Sequence, residues 1–74
     1  MTGLKELDGV SLTQDLPEFG IKKGMLGTIV HIYTRPELAY EVEFCDANGR
    51  TVEQLALTPD QIALDWSYPG PAAR

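Results

Sequence analysis

Apolar and polar residues alternate with period two along most of this chain, and no window carries a sustained helical stripe, so the pattern predicts an all-β domain. Val10 and Leu12 share one face of a first strand over 9–13. The stretch 14–23 holds Pro17, Gly20 and two lysines, which punctuate it as a loop, while its apolar Leu16, Phe19 and Ile21 predict that it folds back over one end of the core. The β-branched and aromatic run 28–33 is the strongest strand signal. Consecutive Ile29 and Val30 break its alternation, and Gly27 just before them suits a bulge or sharp bend. After a connection containing Pro36, Tyr40, Val42 and Phe44 alternate with Glu41, Glu43 and Cys45, giving a third strand with an apolar and a polar face. Asn48-Gly49 supplies the positive φ of a tight hairpin turn. A fourth strand over 51–57 is expected to bury Val52, Leu55 and Leu57. Thr58-Pro59-Asp60-Gln61 then has an N-cap hydroxyl, proline at the first helical position and a glutamine three residues after the cap, the signature of one helical turn. Ile62, Leu64 and Trp66 predict a closing fifth strand with alternate residues inward.

Five short strands, a long loop after the first and one short helical turn before the last are the layout of a small five-stranded SH3-like barrel over 8–66, with an N-terminal extension over 1–7 and an irregular tail over 67–74. An OB-fold is the alternative, although about 58 residues between Gly9 and Trp66 is small for one and its usual inserted helix is missing from the pattern.

Length and composition narrow the function classes. The 74 residues, 43% hydrophobic and 23% charged, make one ordinary globular module with no spare lobe. Chains this short commonly add a disulfide, a metal or a partner subunit. The single Cys45 cannot form an internal disulfide and the single His31 cannot supply a histidine cluster, so a homodimer or higher oligomer is expected. The formal charge of −5 disfavours polyphosphate binding and suits a basic protein partner. No apolar run of signal-peptide length is present near the N-terminus, and a cytoplasmic location is expected.

The blocks 8–12, 15–24, 27–30, 39–44 and 55–62, running from Asp8-Gly9-Val10-Ser11-Leu12 to Leu55-Ala56-Leu57-Thr58-Pro59-Asp60-Gln61-Ile62, together resemble the small bacterial proteins of domain-of-unknown-function family 4926. The resemblance covers about residues 8 to 65. It implies a stand-alone SH3-like barrel without catalytic residues, and an antitoxin, immunity or accessory role beside a neighbouring gene. The Gly24-x-x-Gly27-x-Ile29 piece is also similar to the glycine-marked strand of KOW barrels, which implies a nucleic-acid binder using Lys22, Lys23, Arg35 and Arg50.

Few residues carry chemistry. His31 on the outer face near Glu41 or Glu43 is a conceivable divalent-metal site, with His31 and Glu43 as its ligands; the alternative is an exposed strand histidine. Cys45 lacks an oriented base and reads as a partly buried spacer. Glu41 and Glu43, two apart on one strand face, form a solvated acidic surface rather than the unlike pair that acid–base catalysis needs. No enzyme activity, metal or cofactor is expected. The aromatics allow three uses. Tyr40, Phe44 and Trp66 can be core with the rest as lids; Tyr33, Trp66 and Tyr68 can bind a peptide; or the segment 66–69 can dock on a second subunit. The residues expected to meet a protein partner are Tyr33, Glu41, Glu43, Trp66 and Tyr68.

Overall fold

The computed structural model describes residues 3–69. Its strands are β1 (Gly9–Leu12), β2 (Leu26–Tyr33), β3 (Ala39–Cys45), β4 (Thr51–Leu57) and β5 (Ile62–Trp66), with 3₁₀ turns at Pro17–Phe19 and Pro59–Gln61. All strand pairings are antiparallel, in the order β4-β3-β2-β1-β5. The domain is therefore all-β, with the five strands and the pre-β5 turn where the sequence places them. Among the described residues no ladder joins β4 to β5, so each is a sheet edge. Residues 67–69 carry no regular secondary structure, and the rest of the expected tail, 70–74, lies outside the described residues.

The core follows from the period of two. Tyr40, Val42 and Phe44 point inward from β3, meeting Val10 and Leu12 of β1, Ile29 of β2, Leu57 of β4 and Ile62 of β5, all buried. Leu16 and Ile21 close one end of this cluster. They are clamped by paired backbone bonds, Leu16 N to Ile21 O at 2.9 Å and Ile21 N to Leu16 O at 3.3 Å. Phe19 lies on the 3₁₀ turn between these two residues and stays exposed, so the loop covers the core with its ends and not with its tip.

Turn chemistry behaves as its residues dictate. Gly49 takes φ of 82°, and the Asp46 carboxylate accepts from Asn48 N at 2.8 Å and Arg50 N at 3.0 Å, closing the β3–β4 hairpin. At the second 3₁₀ turn Thr58 N donates to Gln61 Oε1 at 2.9 Å and Gln61 N returns a bond to Thr58 O at 3.0 Å.

Four expectations about burial and bending need correction. The bulge in β2 lies at Val30, where the register shifts between Ile29 and His31, and not at Gly27. Gly27 is instead an inward-facing position squeezed between strands: a Cβ there would lie 2.6 Å from Val42 Cγ1 and 2.9 Å from Phe44 Cδ1. Val52 is 48% exposed because the β3–β4 ladder shifts between Phe44 and Cys45 and skips it on an edge strand. Cys45 is exposed, since it follows inward Phe44 at the strand end and faces the other way. Leu64 and Trp66 of β5 are not core residues; they are 53% and 54% exposed. Leu64 does face inward opposite Val10, but β5 has no neighbour beyond it to cover the side chain. Trp66 is turned to the opposite face by a register shift between Gly9 and Val10, which pairs Gly9 with Trp66 and Val10 with Leu64, leaving Asp65 as an extra residue.

Candidate functional site

The outer face of the sheet gathers most of the residues singled out from the sequence. Laterally paired residues in adjacent strands project to the same side, so the ladders define rows across this face. One row holds Trp66 (β5), Gly9 (β1), Thr28 (β2), Glu43 (β3) and Gln54 (β4). A second brings His31 of β2 beside Glu41 of β3 and Ala56 of β4, with Tyr33 one step further along β2, opposite Ala39.

The carboxylates here are held by neutral donors. The Tyr33 hydroxyl donates to Glu41 Oε1 at 3.2 Å, and Gln54 Nε2 donates to Glu41 Oε2 at 3.1 Å. The Thr51 hydroxyl donates to Glu43 Oε2. Partial loss of water and the adjacent Glu41 carboxylate push the Tyr33 phenol above its ordinary 10.0, so it stays a neutral donor. Among the described residues no Lys or Arg lies within 4.0 Å of Glu41 or Glu43. His31 packs edge-on against Tyr33, with ring centroids 4.6 Å apart, and its Nδ1 is 3.9 Å from Glu6 Oε2.

Glu43 is opposite Thr28 and not His31, so the metal pair suggested by the sequence is split between two rows; among the described residues no cluster of three or more His, Cys, Asp or Glu side chains is placed to hold a metal ion. The basic residues also fall apart. Arg35 is in the β2–β3 connection and Arg50 in the β3–β4 hairpin, beyond opposite ends of seven-residue β3, which spans about 20 Å at the usual strand rise. Lys22 and Lys23 sit in the loop before β2, where Lys23 N is bound to Asp15 Oδ1 at 2.8 Å.

Trp66 and Tyr68 form an edge-to-face pair, centroids 6.1 Å apart, at the β5 border of the outer face. What fixes them is Asp8, a residue that sequence reasoning passed over. Its side chain is 0% exposed. Oδ1 accepts from Lys5 Nζ at 2.9 Å, Tyr68 N at 3.0 Å and Ser67 Oγ at 3.4 Å, while Oδ2 accepts from Lys5 N at 2.9 Å. Lys5 Nζ also donates to Ser67 Oγ at 2.6 Å. Burial pushes the Asp8 carboxyl up, but the Lys5 side chain and the Lys5 and Tyr68 N–H groups outweigh it and hold the group below its ordinary 3.8. Among the described residues Asp8 has one bonding partner close in sequence, Lys5, three residues before it; Ser67 and Tyr68 are about 60 positions away.

Residues 6–64 match the family model of the domain of unknown function DUF4926. No curated protein and no solved structure matches the chain.

Proposed function

Since the chain belongs to that family, whose model matches it from before β1 to within β5, we propose that it is a non-catalytic, cytoplasmic protein-interaction module that supports or neutralises the product of a neighbouring gene, as an antitoxin, immunity or accessory protein would. One observation carries this reading: Glu41 and Glu43 share the outer face with exposed Tyr33 and Trp66, and no row of that face contributes a lysine or arginine. Such a face attracts a basic partner at long range and offers aromatic area once contact is made. Among the described residues no helix is long and apolar enough to cross a membrane.

The purified protein mixed with the product of the adjacent gene is expected to co-elute at low salt and to separate as salt rises. Independent elution at low salt would refute the reading. Self-association is part of the same proposal, because edge strand β5 exposes Leu64 on one face and Trp66 on the other. Light scattering at micromolar concentration is expected to give a mass above that of the monomer; a strictly monomeric mass would remove the homodimer.

A further inference from the structure

We infer that the ligand recognised by the outer face is a lysine or arginine side chain carried on an extended segment of the partner, seated between Trp66 and Glu43. The inference rests on the interaction reading above and names the chemistry of the contact. In the row Trp66–Gly9–Thr28–Glu43, the two inner positions are glycine, with no side chain, and threonine. Three strand spacings put the Trp66 and Glu43 backbones about 14 Å apart, so a large aromatic wall and a carboxylate wall flank a low floor. On the Glu43 side the floor deepens into a cavity of about 130 Å³ lined by Leu26, Gly27, Thr28, Glu43 and Cys45. Leu26, itself exposed, gives this cavity an apolar side and Glu43 gives it an anionic one.

That combination matches the anatomy of a long basic side chain, whose methylene stem packs on apolar surface while its head seeks a carboxylate or an aromatic face. Glu41 and Glu6 add negative charge on the same face, and the chain's formal charge of −5 works in the same direction. A phosphate-bearing ligand meets like charge on this face and is disfavoured.

Trp66 is the only tryptophan in the chain, so its emission reports on the trough directly. The probes are blocked peptides alternating threonine with lysine, with arginine or with glutamine, and a single-stranded oligonucleotide. The lysine and arginine peptides are expected to change Trp66 emission saturably and to weaken with salt, and the glutamine peptide and the oligonucleotide to leave it unchanged. Glu43→Gln should weaken the basic peptides about two- to fivefold, the range for an exposed ion pair. Glu18→Gln, on the remote 3₁₀ turn, should leave them as in the wild type. An unchanged melting curve for Glu43→Gln separates lost contact from lost fold. Equal binding by Glu43→Gln and wild type, no saturable response to either basic peptide, or a saturable response to the oligonucleotide would each overturn the inference. Co-elution of the neighbouring gene product without a peptide response would sink the trough and leave the interaction reading standing; a peptide response without co-elution would do the reverse.

Discussion

Asp8→Ala is expected to cost about 3 kcal/mol of folding stability, since bonds to a charged acceptor are worth roughly 1.5–3 kcal/mol each and the donors left behind are partly buried. For a domain of this size that lowers the melting midpoint by about 15 °C. The substitution strips the acceptor from Lys5 N, Lys5 Nζ, Tyr68 N and Ser67 Oγ at once, so the chain just before β1 and the chain just after β5 lose their common anchor. The backbone bonds Leu7 N to Ile29 O and Ile29 N to Asp8 O, which extend the pairing with β2, hold the N-terminal side less firmly once the carboxylate is gone. Thermal unfolding followed by circular dichroism measures the loss; a midpoint within a degree or two of wild type would show that the cluster adds nothing. Lys5→Met is expected to cost less, because the Lys5 and Tyr68 N–H groups still serve the carboxylate.

The same cluster fixes a pH dependence. The folded-state pKa of Asp8 is depressed, so the unfolded chain binds the proton first as pH falls. The stabilisation is present in full above the unfolded value near 3.8 and is lost as pH falls through the lower folded-state value. The stability gap between wild type and Asp8→Ala should therefore be wide at neutral pH and narrow in strong acid. A gap that widens on acidification would contradict the assignment.

Gly27→Ala is the second large effect expected, about 2 kcal/mol of destabilisation from overpacking. The added Cβ would lie 2.6 Å from Val42 Cγ1 and 2.9 Å from two Phe44 ring carbons, and both residues are 0% exposed in the middle of the core. Both belong to the buried cluster that also holds Val10 and Ile29, and such close packing leaves little room for either to move away. The backbone conformation does not demand glycine at this position; crowding does. A double variant, Gly27→Ala with Val42→Ala, should recover part of the loss by returning volume at the closest contact, and a purely additive result would argue against a steric cause. Chemical denaturation with an unchanged slope distinguishes lost stability from a changed denatured state.

The strands, the Asn48-Gly49 hairpin and the Thr58 turn were legible because each depends on neighbours in sequence: a period of two, a residue that tolerates positive φ, a side chain that reaches its own backbone three residues on. Glu41 and Glu43 were legible as one face for the same reason, since alternation on β3 puts both on the polar side, whereas Tyr33 joins them only because the bulge at Val30 turns His31 and Tyr33 outward. Residue types alone left the rest open. Trp66 reads as inward by alternation from Ile62, and only the extra residue at Asp65 in the pairing with β1 turns it outward. Nothing beside Asp8 in the sequence marks it as buried, and only the return of β5 alongside β1 brings Tyr68 N to its carboxylate. Gly27 reads as a bend, and only the packing of β3 across β2 makes it a steric necessity.

The sequence by itself therefore determined an all-β module of five short strands with an acidic outer face, because those properties are summed from local pattern and charge. The tertiary structure alone decided which aromatic faces solvent, which carboxylate is buried and where a trough opens between Trp66 and Glu43. These depend on register between strands distant in sequence, and a shift of one residue in that register moves a side chain from one face of the sheet to the other.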